Sequence, residues 1–142
     1  MSGSFKYIDH TADIAAELTG SNLEELFTAG ADAWLNSVVE EKNLEADDST
    51  EIELSGSTKE ELLVTFLNEL NYLLTTQKWL CLSIQSIKIF DDEDGCELSA
   101  ELKGVKLNQE INLKNEIKSV TYHQVEIVKR DENYSTIIVF DI

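Results

Sequence analysis

The sequence contains no proline, only two cysteines among its 142 residues, and eleven basic residues against 28 acidic ones. Without proline, a low-complexity stretch or a repeat that the eye picks out, nothing marks a linker. The chain reads as one domain, 1–142, long enough for one substantial core and too short for two. Cys81 and Cys96 stand apart, with no Cys-x-x-Cys and no Cys/His cluster, which argues for two reduced, buried or half-buried thiols rather than a zinc site or a disulfide. No apolar run approaches the roughly 20 residues of a membrane span. The start, Met1-Ser2-Gly3-Ser4-Phe5, has neither the basic region nor the apolar stretch of a signal peptide. A cytoplasmic protein with no membrane partner is the expectation. The net charge of −17 repels phosphate backbones and disfavours autonomous nucleic-acid binding. It suits a basic protein partner or a cation.

What is present is well patterned. Residues 5–19 read as extended, with Ile14, Ala16 and Leu18 on one face and Asp13, Ala15, Glu17 and Thr19 on the other. After Gly20, Ser21 and Glu24 form a capping box for an amphipathic helix whose apolar positions are Leu23, Leu26, Phe27, Ala31, Trp34 and Val38. The polar stretch 43–50 reads as a loop and 51–55 as a short strand with Ile52 and Leu54 inward. Thr58 and Glu61 cap a second helix, whose wide leucine stripe from Leu62 to Leu74 marks a core face.

The remainder is strand-rich. Segments 80–90 and 96–103 form a hairpin about the acidic turn 91–95, and another short strand is expected around 105–113. Segments 119–128 and 135–142 make the last pair. Ile137-Ile138-Val139-Phe140 is apolar on both faces, which predicts a central strand buried on two sides. The class is α+β: two amphipathic helices packed on a mainly antiparallel sheet.

Two acidic segments carry candidate chemistry. The turn 91–95 fails as a calcium loop, because with Gly95 at the sixth position the first ligand would be Phe90. The Asp9-His10-Thr11-Ala12-Asp13 stretch is denser than a strand needs, and Asp141 stands among apolar residues at the other end of the sequence. Local backbone hydrogen bonding by Asp and Thr explains the first as well as a site does. Next to Asp141, the carbonyl and terminal carboxylate of Ile142 are further oxygen sources, and hard cations accept such ligands. His10 and His123 are the only histidines. An acid–base pair drawn from them with Asp9 or Asp13 would suit an independent metal-dependent hydrolase. No nucleophile motif or phosphate loop accompanies them.

The stretches "YIDHTADI" (7–14), "LNELNYLL" (67–74), "EIKSVTYHQVEI" (116–127) and "IIVFDI" (137–142) resemble the archease family, in order and across essentially the whole chain. Tyr122 and His123 fit the family's late motif, while Ser119 stands where alanine is more usual. The resemblance implies an accessory protein of an RtcB-type RNA ligase in tRNA splicing and RNA repair. Such a protein promotes guanylylation of the ligase and its multiple turnover, and is not itself an enzyme. It also implies a fold related to a strand-helix-strand-strand module and a divalent metal ion, usually calcium. Carried over by motif, the metal ligands fall on Asp13, Asp141 and Ile142, with Asp9 and His10 in their surroundings. Asp13 and Asp141 are therefore expected to lie side by side.

Overall fold

The computed structural model describes residues 3–8, 13–40, 43–121 and 125–142. Strands β1 (Ser4–Ile8) and β2 (Asp13–Gly20) pair antiparallel. The alternation read from β2 shows at Ala16 and Leu18, both fully buried, although Ala15 of the opposite face is buried as well. Helix α1 (Leu23–Val38) follows, and its cap falls one residue later than the Ser21–Glu24 box. Asn22 is the cap: its Oδ1 accepts from the Glu25 N–H at 2.8 Å, and Glu25 Oε1 accepts from the Ser21 N–H at 3.1 Å. Serine and asparagine cap equally well, so propensity does not choose between them. The extended chain of β2 chooses, running on through Asn22 at φ −148° and ψ 175° before the helix turns.

Strand β3 (Asp48–Gly56) starts inside the stretch read as loop, and leads to helix α2 (Lys59–Thr75), capped by Thr58 as expected. Strands β4 (Trp79–Asp92) and β5 (Gly95–Lys106) form the hairpin about the acidic turn. No strand occupies 107–113; β5 absorbs Val105, and the rest makes only a single bridge between Val39 and Leu113. The last pair is also interrupted. Strand β6 (Ser119–Val120) and strand β7 (Val128–Arg130) each pair separately with strand β8 (Asn133–Asp141).

The antiparallel strands divide between two sheets rather than forming one: β1-β2-β8-β6, with β7 also on β8, and β3-β5-β4. Both helices touch both sheets, so one core is shared. Trp34, Phe27, Phe66 and Phe140 are its largest buried side chains. A polar link crosses it, Trp34 Nε1–H donating to Asn71 Oδ1 at 3.1 Å and Asn71 Nδ2 donating to the Ile117 carbonyl at 2.7 Å. Burying the indole and amide is affordable only because each finds a partner. The expected central placement of β8 holds, but its two-sided burial does not. Phe140 and Ile138 are fully buried, whereas Ile137, on the opposite face, is 48% exposed.

A repeat hidden in the sequence accounts for this layout. Glu17-Leu18-Thr19-Gly20-Ser21-Asn22-Leu23-Glu24-Glu25-Leu26 matches Glu53-Leu54-Ser55-Gly56-Ser57-Thr58-Lys59-Glu60-Glu61-Leu62, and both stretches make the same strand-to-helix turn. The second unit is strand–helix–strand–strand in sheet order β3-β5-β4. The first has the same order, β2-β8 with β6 and β7, but is split by insertion of the second unit after α1. That insertion brings the early strand β2 beside the last strand β8.

Candidate metal-binding carboxylate pair

The register of β2 against β8 puts Asp13 directly opposite Asp141, followed by Ile14 opposite Phe140 and Ala15 opposite Val139. Ile14 and Phe140 point into the core, so the aspartates point to the outer face, where both are half-buried. Facing residues of an antiparallel pair bring their Cβ atoms to about 4.5–5.5 Å. The expectation that Asp13 and Asp141 lie side by side is therefore met, through strand pairing rather than loop contact. On the other side of β8 the row continues to Ser119, the register partner of Asp141. Lys118 N–H donates to the Asp141 carbonyl at 2.7 Å, locking that side of the row. Ile142 follows, 41% exposed.

Like charges directly opposite on neighbouring strands lower stability by about 0.2–1 kcal/mol. A cation between them would reverse the sign of that term, and carboxylate, hydroxyl and carbonyl oxygens are the donors a hard divalent ion takes. Among the described residues, no three His, Cys, Asp or Glu side chains gather closely enough to hold an ion. Among the described residues, the further protein oxygens beside the pair are the Ser119 hydroxyl, backbone carbonyls and the terminal carboxylate of Ile142. The donor chemistry fits a hard cation. Asp9, His10 and His123 lie outside the described residues.

Ser119, noted from the sequence only as standing where alanine is more usual, lies in the same cross-strand row as both aspartates. The signal was the two-residue spacing of alternation on β8, which puts Asp141 on the outer face but leaves its neighbour on the far side unknown until β6 is paired.

The remaining candidates resolve as structural. Cys81 and Cys96 are both free and buried. Burial pushes the Cys81 thiol up to about 12, opposed by a backbone hydrogen bond of Ser83 and reinforced by the Asp32 charge. Burial also pushes Cys96 up to about 12, helped by its hydrogen bond to Asp91 Oδ1 at 2.9 Å. At the acidic turn, Asp92 Oδ1 accepts from the Asp94 N–H at 2.8 Å, so that carboxylate shapes the hairpin tip.

Against known proteins, residues 5–142 match the model of the Archease protein family (MTH1598/TM1083). The chain is 34% identical to Protein archease of Archaeoglobus fulgidus over 138 residues, covering 97% of this chain and 98% of that one. It is 32% identical to Protein archease of Methanosarcina barkeri, over 97% of this chain and 95% of that one. Among solved structures, Methanobacterium thermoautotrophicum Protein 1598 superposes with a TM-score of 0.83 at 26% identity, over 98% of this chain and 99% of that one. A Thermotoga maritima archease, described as a possible chaperone, shares the fold with a TM-score of 0.64 at 24% identity, over 96% of each chain.

Proposed function

The chain belongs to the archease family, and from that premise we propose that it is a cytoplasmic accessory protein of an RtcB-type RNA ligase. It promotes guanylylation of the ligase and its multiple turnover during tRNA splicing and RNA repair, and performs no chemistry of its own. The observation that carries the reading is the registered pair Asp13–Asp141 on the outer face of the sheet. Two carboxylates held by strand pairing, with Ile14 and Phe140 anchoring the next rung on the core side, form a rigid platform rather than a flexible acidic tail. Asp13 and Asp141 would hold a divalent ion, calcium by preference, with the Ser119 hydroxyl as a neutral partner and the terminal carboxylate of Ile142 as a further oxygen source. When bound, the ion supplies concentrated positive charge able to organise triphosphate oxygens. The chain's own part is to position those oxygens and to meet the ligase through an acidic surface, which favours fast, salt-sensitive association.

The test is a guanylylation assay of the cognate ligase with GTP, with and without the protein, comparing wild type with Asp13→Ala and Asp141→Ala. Stimulation by wild type, lost in both variants while each still folds, is the expected result. Ligated or hydrolysed product formed without ligase would identify an independent hydrolase instead. Undiminished stimulation by both variants would leave an acidic adaptor whose carboxylate pair is irrelevant.

A further inference from the structure

Among the described residues, no helix or strand packs on the outward face of the three-stranded sheet. Ile52, Leu54, Leu98 and Ala100 turn to the core side, so the alternate positions on β3 and β5 present Glu51, Glu53, Glu97, Ser99 and Glu101 outward. Short serines between long glutamates leave a groove of about 620 Å³ bounded by Glu51, Glu53, Glu101, Ser86, Ser99 and Lys88. Glu53 and Ser99 also line a second hollow of about 380 Å³ that reaches Phe90. Phe90 is 64% exposed, the most exposed large apolar side chain among the described residues, and is the register partner of Glu97.

The charges on this face are not arranged for stability. Glu51 and Glu101 are direct register partners, a like-charge pairing that a solvated sheet face has no reason to keep. Lys103 reaches Glu101 only at 3.9 Å, and Glu51, Glu53 and Glu97 make no ion pair among the described residues. Carboxylates spaced two residues apart along a strand repeat about every 6.8 Å, the spacing of alternate side chains on an extended partner chain. A guanidinium meets both kinds of group present, pairing bidentately with a carboxylate and stacking flat on an aromatic ring. An ammonium pairs with a carboxylate only as a point charge and meets an aromatic face without the flat stacking of a guanidinium.

We propose that the open face of the β3-β5-β4 sheet, from Glu51 to Phe90, is a docking groove for an arginine-bearing segment of a partner protein. It lies on a different sheet from the Asp13–Asp141 pair and stands whether or not the partner is an RNA ligase.

The experiment titrates the intact protein with two short peptides, identical except for arginine or lysine at every second position, read by calorimetry and by backbone amide shifts. Shifts clustered at Glu51, Ser99 and Phe90, with the arginine peptide binding more tightly, are expected. The double variant Glu51→Gln/Glu101→Gln binds about tenfold more weakly, since each surface ion pair lost weakens binding by up to about fivefold. Its melting temperature equals or exceeds that of wild type, because the like-charge pair is relieved. The control Glu110→Gln/Glu132→Gln removes the same net charge elsewhere and changes affinity less than about twofold. Phe90→Ser narrows the preference for arginine over lysine, leaving the part that comes from bidentate pairing with the glutamates. Equal losses in the two glutamine variants, shifts scattered over the surface, or no preference between the peptides would each overturn the proposal. A lower melting temperature in Glu51→Gln/Glu101→Gln would overturn its like-charge premise.

Discussion

Glu24, in the first turn of α1, accepts a hydrogen bond from the backbone N–H of Ile89 in β4 at 3.1 Å. Its counterpart in the repeat, Glu60 of α2, accepts from the Ile127 N–H at 3.0 Å. Each helix therefore reaches across to the outer strand region of the other unit, and the nested units are clamped reciprocally. A carboxylate accepting from a partly buried N–H contributes about 1.5–3 kcal/mol. Glu24→Ala and Glu60→Ala should each cost about that much in urea unfolding, and the corresponding glutamines less, since they keep an acceptor. A negligible loss in either alanine variant would show that the N–H finds water instead.

Calcium should stabilise the folded protein. At a hundredfold excess over its dissociation constant the gain is about 2.7 kcal/mol, read as a rise in melting temperature. Asp13→Asn and Asp141→Asn should abolish that rise while raising the stability of the metal-free protein by up to about 1 kcal/mol, through relief of like-charge repulsion. Ser119→Ala should lower calcium affinity by less than either asparagine variant, in keeping with a neutral oxygen. Unchanged affinity in Ser119→Ala would remove the hydroxyl from the site.

The two thiols predict an alkaline weakness. Both are raised in the folded protein from 9.0 to about 12. Below pH 9 they are protonated in folded and unfolded chains alike, and their contribution to stability is fully present. Between pH 9 and 12 the unfolded chain releases these protons first, so stability falls as pH rises. Cys81→Ala/Cys96→Ala should flatten the fall measured by denaturant unfolding across that window. Native thiols should also resist alkylation by iodoacetamide at pH 8, where the thiolate is scarce.

Gly104 is set by contact rather than by backbone angle. A Cβ there would press on the Leu80 carbonyl and come within 2.6 Å of the Trp79 ring, whose Nε1–H donates to Asp48 Oδ2 at 3.2 Å. Neither neighbour moves without breaking the β4–β5 ladder or the indole hydrogen bond. Gly104→Ala should cost about 1–3 kcal/mol by overpacking, measured by thermal unfolding. A neutral result would mean that the indole swings aside freely.

Local structure was legible because its causes are local. The leucine stripe of α2, the Thr58 cap and the alternation in β2 and β5 each involve residues within one or two turns or rungs of one another, and each appears as read. The errors share one cause. The Asn22 cap depends on how far β2 stays extended. The bridge at Leu113 and the split of β6 from β7 depend on what β8 and α1 offer as partners. The exposure of Ile137 depends on what covers the outer face.

For the candidate site, the sequence by itself determined that Asp13 and Asp141 sit on strands, at positions alternating with apolar Ile14 and Phe140, and so away from the core. It could not place them on the same rung. Strand pairing between segments more than a hundred residues apart is chosen by the packing of the whole core, here by insertion of one strand-helix-strand-strand unit into another. Only that tertiary arrangement lays β8 against β2 in a register that sets the carboxylates opposite each other and draws Ser119 into line. A slip of one residue would have turned Asp141 to the core and Phe140 to water, and the cost of that exchange is what holds the pair in place.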